Sequence, residues 1–356
     1  MNRDAMLERL RDTSQVWDLL VIGGGATGVG VAVDAAARGF AVALVEQSDF
    51  GKGTSSRSTK LVHGGVRYLE QGNVSLVREA LHERTILRKN APHVVKPLPL
   101  VLPTYRFGQR SFYGLGLKLY DWLAGEMRMQ HSRWLSKEDT AAALPTINQQ
   151  GLRGGVLYYD GQFDDARLLI NLVQTAAEQG AAIANHVEVT ELLKAEGGKI
   201  VGAAVRDHET DDAWKIRARV VVNATGAFVD DVRHMDDEQA APIIAPSQGI
   251  HVVLDQNFLP SDNALLVPKT RDGRVLFAIP WHGALLAGTT DTPIRETTLE
   301  PRPMEHEIEF VLQTLGEYLT KAPTRGDIRS TFAGIRPLVK RGSGKNTSKL
   351  SREHTI

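Results

Sequence analysis

Apolar runs alternate with a helical stretch near the start of the chain in a pattern that predicts a β-α-β unit. Residues 18–22 form a short, mostly apolar run, a glycine-rich turn occupies residues 23–28, and a helical stretch follows as far as Arg38. Gly39 ends the helix, and a second apolar run at residues 41–45 leads into Glu46. This order predicts two parallel strands joined by a tight turn and a helix.

The glycine spacing gives this turn a candidate function. Gly23 permits a tight turn, Gly25 lets the backbone approach a pyrophosphate, and Gly28 lets the helix pack closely on the strand. The amino end of the helix supplies N–H groups for the anion. Glu46 is placed to accept hydrogen bonds from an adenosine ribose. The motif predicts dinucleotide binding, by FAD or NAD, and the alternative is a purely structural turn.

The later hydrophobic pattern continues this α/β alternation and then changes. Helices are predicted at residues 74–90, 164–180 and 305–320. Paired strands are predicted at residues 181–193 and 199–207, and a buried strand at residues 219–223 leads into Ala224, Thr225 and Gly226. From residue 242 onwards short β-type runs recur, and they predict a second domain with an antiparallel sheet. These runs cover residues 249–254, 264–268, 274–280 and 284–289, and a further strand is predicted at residues 328–334.

Three stretches leave their interpretation open. The Ser-, Thr- and Gly-rich residues 47–65 form either a polar ligand-binding loop or a solvated linker. Pro97, Pro99 and Pro103 interrupt an apolar run, which predicts an edge strand where the chain crosses between domains. Residues 112–123 are apolar and aromatic, with Lys118 among them. They form a helix that lies on a membrane surface or packs into the protein.

The amino-acid composition excludes several classes of protein and chemistry but adds no new structural element. The 356 residues are 42% hydrophobic and 24% charged, which is typical of a globular protein. The balance of 42 basic and 42 acidic residues gives no global field that would attract nucleic acid. The absence of cysteine excludes disulfides, thiolate-held metals and a cysteine nucleophile. No apolar run is long enough to cross a bilayer, and the first seventeen residues are too charged for a signal peptide. We therefore expect a cytoplasmic protein, soluble or peripheral to a membrane.

Several motifs together resemble the FAD-dependent, respiratory-type glycerol-3-phosphate dehydrogenases. The glycine turn and the Asn223-Ala224-Thr225-Gly226 segment are shared by many flavoproteins, whereas residues 60–70 and 334–338 in combination are specific to this family. The other matching segments are residues 54–56, 164–168, 248–251, 279–281, 288–291 and 351–354.

The resemblance implies a fold and a reaction. The fold is α/β, with a glutathione-reductase-like Rossmann FAD-binding domain interleaved with an antiparallel-sheet substrate domain, as in D-amino-acid oxidase. The FAD-binding domain is expected at residues 16–95, 160–241 and 328–356, and the substrate domain at residues 96–159 and 242–327. The reaction is oxidation of sn-glycerol 3-phosphate to dihydroxyacetone phosphate, with hydride passing to flavin N5 and electrons to quinone. A homodimer and peripheral contact with the cytoplasmic face of the inner membrane are also expected, with no metal and no nucleic acid.

The resemblance also assigns site residues. A phosphate substrate is bound best by guanidinium groups, and Arg67, Arg336 and Arg352 occupy the matching positions, with Tyr68 as a further substrate contact. His251 is the candidate base, and His63 is the competing histidine, although its place beside Gly64 favours a flavin contact. The expected FAD contacts are Gly23, Gly25, Thr27, Gly28, Glu46, Thr54, Ser55, Ser56, Lys60, Leu61, His63, Gly64, Gly65, Val187, Ala224, Thr225, Gly226 and Asp291.

The chain also departs from the family pattern at its end. Members continue past the position of Arg352 with a strand, a lysine-containing glycine turn, a helix and a helical C-terminal domain. None of these follows in this sequence, which ends at Ile356. A truncated reading frame, a fragment and a stable partial protein are the open explanations. The alternative functions are a non-catalytic FAD- or ADP-binding remnant and an FAD oxidase of another small substrate.

Overall fold

Two β-sheets with helices packed against them make up the computed structural model, which describes residues 1–65 and 73–340. The helices are α1 (Arg3–Arg11), α2 (Ala26–Ala37), α3 (Val74–Asn90), α4 (Gln109–Ala124), α5 (Lys137–Ala143), α6 (Asp165–Glu178), α7 (Val229–Asp236) and α8 (Glu305–Tyr318). The strands are β1 (Val16–Ile22), β2 (Val42–Val45), β3 (Leu61–Val62), β4 (Val95–Thr104), β5 (Arg133–Leu135), β6 (Gly154–Phe163), β7 (Ala182–Ala184), β8 (Val187–Lys194), β9 (Ile200–Asp207), β10 (Ala213–Asn223), β11 (Ile244–Asp255), β12 (Ala264–Val267), β13 (Leu276–Trp281), β14 (Ala284–Gly288), β15 (Thr292–Pro293) and β16 (Ser330–Val339).

The first sheet is half parallel and half antiparallel. Its order is β7-β2-β1-β10-β9-β8, with parallel pairing from β7 to β10 and antiparallel pairing from β10 to β8. Helices α2 and α6 pack on the parallel half, where Val21, Val29, Leu44 and Val173 share a buried cluster. The predicted β-α-β unit is confirmed. The predicted pairing of the strands on either side of Gly197-Gly198 is also confirmed, as β8 with β9.

Backbone geometry explains two of the glycines in the β1–α2 turn. Gly23 has φ +112°, a left-handed conformation that side chains disfavour. A Cβ atom at Gly28 would lie 2.0 Å from the carbonyl oxygen of Gly23, so only glycine lets α2 start this close to β1. The close approach of helix and turn sets the position of the helix amino end.

The second sheet is larger and mostly antiparallel. Its order is β15-β11-β14-β13-β12-β4-β6-β3, and β16 pairs with β11 while β5 pairs with β6. Its apolar core includes Ile250, Val252, Leu265 and Leu285, and helix α8 adds Val311. The expectation of an antiparallel second sheet is confirmed, and the fold class agrees with the predicted one.

The observed elements differ from the predicted ones in three places. Residues 3–11 form α1, which begins after an Asn2 side chain that accepts a hydrogen bond from the Ala5 amide. The predicted strand 181–193 is interrupted at His186, whose φ is +56°. Strand β11 begins at Ile244 instead of residue 249, because residues 244–253 all pair with β16.

Sheet membership also departs from the predicted domain division at two strands. Strands β3 and β16 fall within the segments predicted for the FAD-binding domain, yet both pair in the second sheet. The first sheet lies wholly within the predicted segments. A strand can pair in one sheet and still contribute residues to a site beside the other sheet. Sheet membership alone therefore does not define the domains, and the domain boundaries stay a prediction.

Residues 112–123 lie in helix α4, which packs one face on the protein, while contact of the other face with a membrane stays a prediction. Leu117, Tyr120 and Ala124 are buried against the protein. The opposite face exposes Phe112, Leu115, Leu119 and Trp122, of which Trp122 is 74% exposed. Within the described part of the chain, no helix is both long enough and apolar enough to cross a membrane.

Candidate active site

The predicted dinucleotide-binding residues converge at the carboxyl ends of β1, β2 and β10. The Glu46 carboxylate accepts hydrogen bonds from the Gly24 amide at 2.7 Å and from the Ser48 amide at 2.8 Å. The buried Val187 lies next to it, because its amide donates to the Glu46 carbonyl at 2.8 Å. The acid is therefore held beside the glycine turn, in the position expected of a ribose-binding carboxylate.

The Thr54–Ser56 turn connects the glycine turn with the second sheet. Ser55 Oγ accepts a hydrogen bond from the Ala26 amide at 2.9 Å, at the amino end of α2. Thr54 Oγ1 donates to the Ile335 carbonyl on β16 at 2.5 Å. The predicted Ser/Thr loop is thus an ordered turn that contacts both sheets, and its role in binding the cofactor stays a prediction.

The strand end of β10 closes the same crevice. The Ala224 amide donates to the Ile22 carbonyl at 2.9 Å, and Thr225 Oγ1 donates to Asn223 Oδ1 at 2.7 Å. Gly226 has φ +58° and no described atom within 4 Å of the place where a Cβ would be, and a Cβ on Gly25 would meet only Ser55 Oγ, at 3.3 Å. The backbone is therefore open at Gly25, where a pyrophosphate would approach, and at Gly226 on the other side of the turn, and these residues fit an FAD.

The described contacts of Lys60 are with the protein itself, and its predicted role as a cofactor contact stays a prediction. Its Nζ donates to the Ser56 carbonyl and to Asp165 Oδ1, both at 2.7 Å, and the residue is 8% exposed. Its φ of +60° is unusual for a residue with a side chain. Asp165 also accepts hydrogen bonds from the Ser58 amide and hydroxyl. In this structure the ammonium group fixes the shape of residues 56–60, a role that the sequence did not reveal.

The segment that follows Lys60 leads towards the second sheet. Leu61 is buried on β3, His63 is exposed, and Gly65 has φ +70°. The Gly64 amide donates to the Tyr120 hydroxyl at 3.0 Å. The predicted contacts Arg67 and Tyr68 come next, and they lie outside the described residues, as does Arg352.

His251 lies on β11 in a dry, positively charged environment. It is 2% exposed, its Nε2 lies 2.8 Å from Thr59 Oγ1, and its ring stacks on Phe332 with centroids 4.8 Å apart. Among the described residues, Nδ1 has no hydrogen-bond partner. Burial, followed by the positive charges of Arg336 and Lys60, lowers the pKa of His251 to about 3. The imidazole is therefore neutral at physiological pH.

Arg336 lies on β16, opposite Ser247 of β11. Its Nη2 donates to Thr289 Oγ1 at 3.0 Å, its Nη1 lies 3.4 Å from Asp291 Oδ1, and its side chain is 22% exposed. A Cβ atom at Gly249 would lie 2.4 Å from Nη2, so glycine is what allows the guanidinium to lie flat on β11.

Asp291 was expected to contact the cofactor, which stays a prediction, and its described contacts include Arg336, the candidate phosphate-binding residue. It accepts a hydrogen bond from the Ser247 hydroxyl and pairs with Arg336. A second acid supports the same region, because the buried Glu307 accepts hydrogen bonds from Gln248 Nε2 at 2.7 Å and from Thr290 Oγ1 at 2.8 Å. The role of Glu307 was missed because it is 16 residues from Asp291 in sequence and resembles an ordinary first-turn helix acid.

The fold and the crevice together define a flavin-dependent oxidoreductase. A family profile described as FAD dependent oxidoreductase matches residues 18–348, and the chain belongs to that family. The prediction of FAD as the cofactor is thereby confirmed at the level of the family.

Individual relatives narrow the class and confirm the resemblance stated above. The chain is 47% identical over 350 residues to a probable mitochondrial glycerol-3-phosphate dehydrogenase of Caenorhabditis elegans, covering 96% of this chain and 48% of the relative. It is 46% identical to the mitochondrial glycerol-3-phosphate dehydrogenase of Homo sapiens, covering 100% of this chain and 50% of that one.

Solved structures agree with these relatives. The glycerol-3-phosphate dehydrogenase from Bacillus halodurans complexed with FAD superposes with a TM-score of 0.78 at 34% identity, covering 95% of this chain and 60% of that one. A glycine oxidase from Geobacillus kaustophilus superposes with a TM-score of 0.68 at 19% identity, covering 91% of this chain and 83% of that one, which shows the shared fold alone. The chain spans about half the length of the curated relatives it matches.

Proposed function

We propose that this chain forms the FAD-binding and substrate-binding part of an enzyme that oxidises sn-glycerol 3-phosphate to dihydroxyacetone phosphate. The observation that carries the proposal is the pair of Arg336 and His251, an arginine and a buried neutral imidazole on adjoining strands of one sheet. The names of the relatives support glycerol 3-phosphate as the substrate.

Arg336 is proposed to bind the substrate phosphate. Its planar fork suits two phosphate oxygens, and Thr289 and Asp291 orient it from the protein side. The resemblance supports two further phosphate-binding residues, Arg67 and Arg352, which with Arg336 form the proposed phosphate clamp. It also supports Tyr68 as a further substrate contact.

His251 is proposed to take the hydroxyl proton of the substrate on Nδ1, while Thr59 holds Nε2. FAD, when bound, accepts the hydride that leaves the substrate carbon bearing this hydroxyl group. A pKa of about 3 makes the imidazole a weak base, and the positive charge of Arg336 is one cause. A phosphate dianion on Arg336 offsets that charge, so substrate binding raises the basicity of His251 when the proton must be accepted.

Quinone is proposed as the electron acceptor and a membrane surface as the place where the chain meets it. The exposed stripe on α4, formed by Phe112, Leu115, Leu119 and Trp122, supports this proposal. Arg106 and Arg110 are exposed beside it and suit anionic headgroups. A homodimer is proposed from the resemblance alone, and a cytoplasmic location is proposed from the sequence.

Dye-linked turnover with a substrate panel tests the function. The protein is loaded with FAD and given sn-glycerol 3-phosphate, glycine, D-alanine or a 2-hydroxy acid. We expect dye reduction with glycerol 3-phosphate only. Peroxide formation with an amino or hydroxy acid would favour the oxidase alternative, and bound FAD with no reduction by any substrate would favour the non-catalytic remnant.

A further inference from the structure

We infer that three buried polar side chains, Arg84, Tyr120 and Asp160, position the Gly64 backbone in the candidate flavin site. This inference rests on the proposed function, because it assigns these residues to the same site. They act through Gly64 and are positioning residues. They come from three separate elements, α3, α4 and β6, and none was singled out by the sequence.

The three side chains form a closed network. Arg84 Nη1 pairs with Asp160 Oδ1 at 2.7 Å, and the two side chains are 1% and 2% exposed. The Tyr120 hydroxyl donates to Asp160 Oδ2 at 2.9 Å, and Arg84 Nη2 donates to the Met127 carbonyl at 3.0 Å. Burial, together with the negative charge of Asp160, raises the pKa of Tyr120 well above its usual value, so its hydroxyl stays protonated.

The backbone of the candidate flavin segment rests directly on this network. The Gly64 amide donates to the Tyr120 hydroxyl at 3.0 Å and approaches Asp160 Oδ1 at 3.3 Å. A Cβ atom at Gly64 would lie 2.3 Å from the Tyr120 hydroxyl and 2.6 Å from Leu81. The contact is therefore made by the main chain, and only a glycine can make it.

Stability alone is a poor explanation for this arrangement. Desolvating two charges offsets much of their attraction, and apolar residues of similar size often replace a buried ion pair without loss of stability. Val77, Leu81 and Ala124 already provide an apolar surrounding. What an apolar replacement of this ion pair would lose is the Asp160 carboxylate, which accepts hydrogen bonds from the Gly64 amide and from the Tyr120 hydroxyl.

The position of Gly64 matters for two groups of predicted contacts. His63, Gly64 and Gly65 are the predicted flavin contacts, and Arg67 follows three residues after Gly64. Peptide dipoles beside a flavin stabilise or oppose charge on its reduced form. A shift of this segment should therefore change the midpoint potential of the flavin as well as its affinity.

The first test compares Tyr120→Phe with Tyr158→Phe. Both remove a hydroxyl from a buried ring, and the two rings pack edge-on with centroids 6.4 Å apart. We expect Tyr120→Phe to weaken FAD affinity about fivefold, as loss of one buried hydrogen bond implies, and to change the visible circular dichroism and midpoint potential of the flavin. Tyr158→Phe should change only the melting temperature. Identical flavin properties in both variants and wild type would overturn the inference.

The second test separates the ion pair from the fold. Asp160→Asn leaves Arg84 without its counter-charge and should lower the melting temperature. The double variant Arg84→Met/Asp160→Leu removes both charges and should recover much of that loss while FAD affinity stays below wild type. Recovery of FAD affinity together with the melting temperature would mean that the network is only structural. If the double variant fails to fold, the comparison of Tyr120→Phe with Tyr158→Phe decides whether the inference holds.

Amide hydrogen exchange at Gly64 distinguishes failure of this inference from failure of the proposed function. We expect strong protection of the Gly64 amide in wild type and faster exchange in Tyr120→Phe, with or without FAD. Unchanged exchange would overturn the inference even if the protein binds FAD. A wild-type protein that binds no FAD but shows the expected exchange would overturn only the proposed function.

Discussion

Burial of His251 has a consequence for stability that is separate from its proposed role as a base. The pKa in the folded protein, about 3, lies below the ordinary value of 6.5. Between these two values the unfolded chain binds a proton that the folded chain excludes. The contribution is therefore fully present above pH 6.5 and is lost as pH falls from 6.5 towards 3.

We predict that the free energy of unfolding falls by up to about 1.4 kcal/mol for each pH unit below 6.5, owing to this one group. Denaturant titration at a series of pH values measures it. His251→Asn should flatten this part of the profile, and His82→Asn, at an exposed position, should leave it unchanged. An equal slope in wild type and His251→Asn would show that the imidazole is not buried in its neutral form.

Arg336 gives a prediction on substrate binding. Arg336→Lys keeps the charge but removes the planar fork, so KM for sn-glycerol 3-phosphate should rise about tenfold or more, as expected for the loss of a bidentate contact. Steady-state dye reduction measures this change. Arg329→Lys is the matched control, because Arg329 is 54% exposed, precedes β16 and pairs with Asp255. A KM that rises equally in both variants, or in neither, would contradict the clamp.

At the scale of elements, patterns within one short segment were predictable and pairings between distant segments were not. The β1–α2–β2 unit follows from its glycines because tight turn, helix start and strand are encoded within thirty residues. Helix α1 was missed because it buries only Leu7 and Leu10 among charged residues. The start of β11 was missed because Pro246 resembles a loop residue, yet it pairs opposite Pro337 of β16.

The same contrast between local patterns and distant contacts applies to the candidate site. The predicted residues of the glycine turn, Glu46 and the strand end of β10 come together as expected. The ion pair of Lys60 with Asp165, 105 residues later in the chain, was not predicted, and the assignment of Lys60 to the cofactor stays a prediction. The stacking of Phe332 on His251 likewise depends on the register of β11 with β16. Hydrophobic periodicity carries no information about such register-dependent contacts.

A further prediction concerns membrane binding by the exposed apolar stripe on α4. Leu115→Ser/Trp122→Ser should reduce sedimentation with vesicles of anionic and zwitterionic lipid about tenfold or more, because each buried side chain contributes roughly 2 kcal/mol on transfer from water. Ile170→Ser is the control, since Ile170 is 40% exposed on α6, far from the stripe in sequence. Equal vesicle binding by the double variant and wild type would remove α4 as the membrane contact.

At the scale of the whole molecule, the two sheets meet where the function is proposed. Ser55 contacts the amino end of α2 after the glycine turn, its neighbour Thr54 contacts β16, and Arg57 Nη1 donates to the Ala333 carbonyl on the same strand at 3.0 Å. We therefore propose that Arg336 and His251 on the second sheet belong to the same site as the glycine turn on the first. This arrangement connects the confirmed family membership with the proposed substrate.

The most direct test of the proposed function is anaerobic addition of sn-glycerol 3-phosphate to the FAD-loaded protein, followed by visible absorbance. We predict that the absorption band of the oxidised flavin disappears after mixing and returns when an electron acceptor is added. A band that persists with glycerol 3-phosphate, but is bleached by dithionite in the same sample, would contradict it.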